Sequence, residues 1–177
     1  YIDFNNGKEI DVSKRIPDWI KNHKNSYGEK DMFDVTPNNV WQLLDSGDVK
    51  SLLKEKGYRI VLATNPLFPM VANHHRIRWA GFEPSEFEYI SSFEDNSYCK
   101  PHLEYYNEVL GYINKTAEEC YMVGNDVFDD LSSKKLGIKT YLITNHLLNK
   151  HNQEIDTDYE GTYYDFYKFV QKLDEIK

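Results

Sequence analysis

Residues 120–137, CYMVGNDVFDDLSSKKLG, change character within a few positions. An apolar run from Cys120 to Val123 breaks at Gly124 into the acidic NDVFDD, then resumes with helical spacing up to Gly137. A short apolar run that ends at a glycine reads as a buried strand. The segment that stops at the second glycine reads as a helix with its C-terminal cap. KTYLIT (139–144) supplies the next strand, and the same alternation runs upstream. VWQLLDSGDVKSLLKEKG (40–57) sets Val40, Leu43, Leu44, Val49, Leu52 and Leu53 at amphipathic helical spacing and stops at Gly57. YRIVLAT (58–64) predicts a strand ending at Thr64, MVANHHRIRWAG (70–81) a helix stopped by Gly81, and FEYISS (87–92) a further strand. PHLEYYNEVLGYI (101–113) predicts a helix opened by Pro101, a residue the first turn tolerates. YYDFYKFVQKLDEI (163–176) closes as an amphipathic helix. Short strands, apolar on both faces and alternating with helices, imply an α/β fold: a parallel sheet with helices on both faces.

The 177 residues suffice for one well-cored domain, and two full domains are not expected. A net charge of −8 with no basic patch argues against nucleic acid or an anionic membrane surface as partner. No run approaches the roughly 18 apolar residues of a membrane span. Cys99 and Cys120 are too few for a disulfide scaffold and follow no metal-ligand spacing, so a reducing, cytoplasmic setting is expected. Residues 1–39 are polar and broken by Gly7, Pro17, Gly28 and Pro37, with at most a short helix around residues 17–23. Because the chain begins at Tyr1 rather than Met, this N-terminus is not expected to be the natural one.

In parallel α/β sheets ligands bind beyond the carboxyl ends of the strands, a rule that gathers Thr64, the segment after Ser92, the acidic cluster and Thr144 on one rim. Asp126 and Asp130 stand one helical turn apart, with Asp129 beside them. Carboxylates so crowded repel one another unless a cation intervenes, and oxygen ligation suits Mg²⁺. Capping of a helix N-terminus would use the same residues. Lys100, just before a helix start where the dipole disfavours a cation, would serve an anionic ligand or the acidic cluster; it would otherwise be a solvated surface lysine. Thr64 and Asn65 could hold a phosphate oxygen or cap the helix that follows.

The order of these features resembles motifs two to four of the haloacid dehalogenase-like (HAD) hydrolase superfamily. YRIVLATN resembles motif two, CKPHLEYYNEVL motif three, and CYMVGNDVFDDLSSKKLGIKTYLIT motif four, so that the resemblance covers residues 40–145. It implies a Rossmann-like core and Mg²⁺-dependent phosphoryl transfer from a small phosphorylated metabolite through an aspartyl-phosphate. Thr64, with Asn65 beside it, would bind the phosphate, and Lys100 would stabilise the charge of nucleophile and phosphoryl group. Asp126 would be the acidic metal ligand and Asp130 the second acid, supporting metal or lysine. The family often has Gly-Asp where this chain has Gly124, Asn125 and Asp126, which leaves Asp129 as an alternative second acid.

Motif one, a hydrophobic strand ending in Asp-x-Asp-x-Thr, has no match. YIDFNNG offers Asp3 but Asn5 in place of the second Asp, and MFDVT offers Asp34 and Thr36 without a preceding apolar run. The expectation is therefore a core at 40–177 lacking its first strand, preceded at 1–39 by the end of a cap or linker, with the nucleophile outside this chain. Two other readings compete. One is a HAD-like module that binds or regulates without catalysis, which the retained Lys100, Asp126 and Asp130 argue against. The other is metal-free dehalogenation, which the uncompensated carboxylates disfavour. Oligomeric state does not follow from the sequence.

Overall fold

The structure, a computed structural model, describes residues 48–176, all within one compact unit. The expected helix around residues 17–23, the cap or linker segment at 1–39 and the first half of the 40–57 helix lie outside the described residues.

Helix α1 (Asp48–Glu55) leads through the Gly57 turn to β1 (Val61–Leu62); α2 (Met70–Trp79) and β2 (Tyr89–Ile90) follow. Next come α3 (Leu103–Ile113), β3 (Tyr121–Gly124) and β4 (Lys139–Ile143), then β5 (Tyr159–Gly161) and α4 (Tyr163–Lys172). Every strand pair is parallel, in two ladders ordered β1-β2 and β3-β4-β5. With all strands running one way, the carboxyl ends of β1 and β3 can supply one site. No described helix is long and apolar enough to cross a membrane.

The pleat sends alternate residues of β3 and β4 to opposite faces. On one face Tyr121, Tyr141 and Tyr159 pack against Phe166 and Phe169 of α4, with the Tyr141–Phe166 ring centroids 4.9 Å apart. On the other, Cys120 and Met122 join Val61, Ala63 and Tyr89 around the buried Tyr105, Tyr106 and Val109 of α3. This second cluster packs the two ladders against each other where no described backbone bond joins β1 to β3. Each fully buried aromatic or aliphatic side chain there contributes about 1.5–3 kcal/mol.

Four elements differ from expectation. The β1–β2 ladder is shorter than YRIVLAT suggested because the Thr64 N–H donates not to backbone but to the Ser91 hydroxyl, at 2.9 Å. Pro101 precedes the helix instead of opening it: His102 is the N-cap and the first turn starts at Leu103. The segment after the acidic cluster is a 3-10 helix, Leu131–Leu136, closed by Gly137 at φ 94°. Strand β5 was not anticipated, because YEG carries no apolar alternation; it is placed by register with β4, Tyr141 opposite Tyr159.

Gly57 adopts φ 84°, and a Cβ there would come within 2.7 Å of the Ile176 carbonyl oxygen, where the chain after α4 returns to bond the Lys56 carbonyl. Gly57→Ala is therefore expected to destabilise by about 1–2 kcal/mol from left-handed strain alone, with the clash added to it. The check is a denaturant titration. An unchanged midpoint would show that the α1–C-terminal seam does not constrain this turn.

Candidate active site

The end of β1 is built on hydroxyl groups. Ser91 and Tyr105 are fully buried. The Tyr105 phenol donates to the Thr64 carbonyl at 2.9 Å, while the Ser91 hydroxyl accepts the Thr64 N–H and sits 2.9 Å from the phenol. Burial pushes the Tyr105 phenol well above its ordinary pKa, so it remains a donor. Both polar groups of the Thr64 backbone are thereby fixed. Among the described residues nothing bonds the Thr64 hydroxyl or the Asn65 N–H, and both residues line an open cleft of about 320 Å³.

Lys100 enters the same cleft from the loop before α3, through a cis Lys100–Pro101 peptide. Its ammonium pairs with Asp130 Oδ1 at 2.7 Å, with side chains only 7% and 9% exposed. Such a pair offsets its desolvation only when the remaining polar atoms are satisfied. Asp130 Oδ2 is, by the Asp126 N–H at 3.0 Å. Gly124 makes the approach possible: a Cβ there would stand 2.0 Å from Asp130 Oδ2. The glycine is required by contact distance, since its φ is not positive.

Asp126 divides its two oxygens. Oδ1 accepts the N–H groups of Phe128 and Asp129 at 2.9 and 3.0 Å, which is the capping role, while no described group bonds Oδ2. Asp129 Oδ2 accepts from Asn65 Nδ2 at 2.9 Å. Burial, and then the neighbouring Asp126 charge, raise the Asp129 pKa, partly opposed by the Asn65 hydrogen bond. The Asn65 carboxamide thus spans the cleft, its Oδ1 accepting the Lys100 N–H at 2.8 Å.

Thr64, Asn65, Lys100, Asp126, Asp129 and Asp130 therefore meet in one place. Thr144 does not join them: its N–H donates to Gly161 at the β4–β5 end. Ser91 and Tyr105 were not singled out from sequence; the only signal was a pair of serines closing FEYISS and a tyrosine in an apolar helix face. Within this cluster one lysine faces three carboxylates. No group of three or more His, Cys, Asp or Glu among the described residues is arranged to enclose a metal ion. The surplus of negative charge, with Asp126 Oδ2 available and Asp129 made costly to ionise, does fit Mg²⁺, which usually takes one or two carboxylates and keeps several waters.

The family model of haloacid dehalogenase-like hydrolases matches residues 38–137. No curated protein matches the sequence. Solved structures do match. The HAD phosphatase of Thermococcus onnurineus superposes with TM-score 0.59 at 19% identity, over 72% of this chain and 57% of that one. The chain thus spans little more than half of that phosphatase. The Bacillus subtilis protein YfnB, named as a HAD-hydrolase and bound to magnesium, gives TM-score 0.57 at 18% identity over 94% of this chain and 86% of that one. A HAD-superfamily hydrolase of Ehrlichia chaffeensis gives 0.52 at 18%, over 94% and 81%. At these identities the structures share the fold. The sequence match carries the family: it takes in more than half of the chain, with the β1 turn, the Lys100 loop and the acidic turn after β3 all inside it, and this chain belongs to the haloacid dehalogenase-like hydrolases.

Proposed function

We propose that this protein is a Mg²⁺-dependent phosphatase of a small phosphorylated metabolite, acting through an aspartyl-phosphate whose Asp lies outside the described residues. The observation that carries this reading is the Lys100 ammonium, held at 2.7 Å by Asp130 in the cleft that Thr64 lines. A fixed ammonium costs little to reorganise when negative charge gathers on a transferring phosphoryl group. The Thr64 hydroxyl and the Asn65 N–H, both without described partners, donate to phosphoryl oxygens, and the pinned Thr64 peptide keeps those donors in place. Asp126 would hold the cation through its available oxygen, with Asp129 as the second carboxylate beside it. Asp130, whose oxygens are taken by Lys100 and the Asp126 N–H, orients the lysine. Bound Mg²⁺ would neutralise the carboxylates and polarise the phosphoryl group. Two free cysteines suit a reducing, cytoplasmic compartment.

The intact protein should hydrolyse p-nitrophenyl phosphate with Mg²⁺ and lose that activity in EDTA. Lys100→Met should lower turnover by about a hundredfold or more, as loss of preorganised charge stabilisation generally does. Absence of turnover in the intact protein, with Mg²⁺ still bound, would replace the phosphatase by a non-catalytic binding module.

A second prediction concerns stability without metal. Since folding raises the Asp129 pKa, the fold favours its protonated form; that contribution is present in acid and lost as the pH rises through the folded value. Asp129→Asn should therefore melt higher than the parent in EDTA near neutral pH, and the gain should fade in acid below the ordinary carboxylate range. Equal melting temperatures at neutral pH would show that Asp129 bears no repulsion to relieve.

A further inference from the structure

The two halves of the cleft belong to different ladders, β1-β2 and β3-β4-β5, with no described backbone bond between β1 and β3. Besides the Tyr106 phenol, which donates to the Asp129 carbonyl at 2.6 Å, two side-chain bonds between cleft-lining residues cross to the acidic turn. One is the Lys100–Asp130 pair. The other is made by Asn65, and its geometry is informative. The carboxamide oxygen must accept, because it faces the Lys100 N–H at 2.8 Å, and the nitrogen must donate, because it faces Asp129 Oδ2 at 2.9 Å. A flipped amide would set acceptor against carboxylate at one end and donor against donor at the other, so a single orientation is allowed. Asn65 itself has little freedom. It follows the Thr64 peptide, which Ser91 and Tyr105 hold, and its own carbonyl accepts the Leu67 N–H at 2.8 Å.

Asp129 is otherwise loosely constrained. Its backbone is anchored, with the N–H on Asp126 Oδ1 and the carbonyl accepting the Tyr106 phenol at 2.6 Å, but the Asn65 amide is the one described donor to its carboxylate. Left alone, that carboxylate would swing away from the Asp126 and Asp130 charges towards water. Resting on the metal-dependent reading above, we propose that Asn65 is a positioning residue: its carboxamide holds the Asp129 carboxylate towards the cation that Asp126 binds, and ties that carboxylate to the Lys100 loop. Its contact with a phosphate would then be made by the backbone N–H alone. Hydrogen bonds of this kind, one step removed from a metal, commonly alter affinity by 10–100-fold.

The test is a double-mutant cycle read by calorimetric Mg²⁺ binding to the intact protein, with no substrate present. Asn65→Ala should weaken Mg²⁺ binding by about tenfold or more. In an Asp129→Ala background the same substitution should change it no further, because Asn65 acts through Asp129. A merely structural role would instead weaken binding equally in both backgrounds, and that result would overturn the proposal, as would unchanged affinity in the single variant. If Asn65→Ala fails to fold, Asn65→Asp keeps the shape and the acceptor for the Lys100 N–H but turns the donor into a repelling carboxylate. Added negative charge alone would tighten Mg²⁺ binding, whereas loss of the Asp129 anchor weakens it; tighter binding by Asn65→Asp would also overturn the proposal. Should the parent protein itself bind no Mg²⁺, the metal-dependent reading fails and this inference falls with it, an outcome distinct from binding that Asn65 does not influence.

Discussion

The buried pair between Lys100 and Asp130 is the constraint around which the cleft is organised. Taking an ammonium and a carboxylate out of water costs several kcal/mol each, and their attraction recovers this only with every remaining lone pair engaged. That demand explains features which otherwise look unrelated. Gly124 lacks a side chain because Asp130 occupies the space a Cβ would fill. The Asp126 N–H points to Asp130 Oδ2 because that oxygen, buried with the rest of the residue, has no water to turn to. The Lys100 loop is tethered through its own N–H, so the ammonium returns to one position.

Such a pair is also specific about its surroundings. Lys100 neutralises Asp130, which leaves Asp126 and Asp129 without a positive partner at comparable distance among the described residues. The fold tolerates this through hydrogen bonds to Asp126 Oδ1 and Asp129 Oδ2, which soften the repulsion without removing it. Repulsion between carboxylates therefore falls on the turn after β3, where burial and the Asp126 charge both disfavour an ionised Asp129. Strain of that kind is typical of residues kept for what they bind instead of for the fold they support.

Much of this was legible in the sequence. The break from CYMV to the acidic NDVFDD fixed the end of a strand, and the order of Thr64, Lys100 and Asp126 gave both the family and the rim on which those residues meet. What escaped was set by tertiary geometry. Asn65 could be read as a phosphate or capping residue, but that its carboxamide reaches Asp129 depends on how the β1 turn and the acidic turn approach each other. The family resemblance pointed to Asp130 as the acid supporting metal or Lys100 and kept Asp129 as the alternative; spacing alone did not separate them, since adjacent residues differ in the direction their side chains take. Ser91 and Tyr105 gave only a weak signal because hydroxyls inside apolar segments usually satisfy local backbone, and the fold shows that the backbone in question is that of Thr64.

The seam between the Gly57 turn and the residues after α4 joins groups far apart in the chain: Tyr58 donates to the Asp174 carbonyl across 116 residues. The entropy of closing so long a loop grows only with the logarithm of its length, so modest contacts can hold it. Once closed, it makes the two ends of this unit share one fate. Terminal segments ordinarily fray alone, but here α4 cannot peel from the tyrosine face without releasing the turn that leads into β1, and β1 delivers Thr64. The residues after α4 thereby bear on how well the turn after β1 stays assembled, although none of those described lines the cleft.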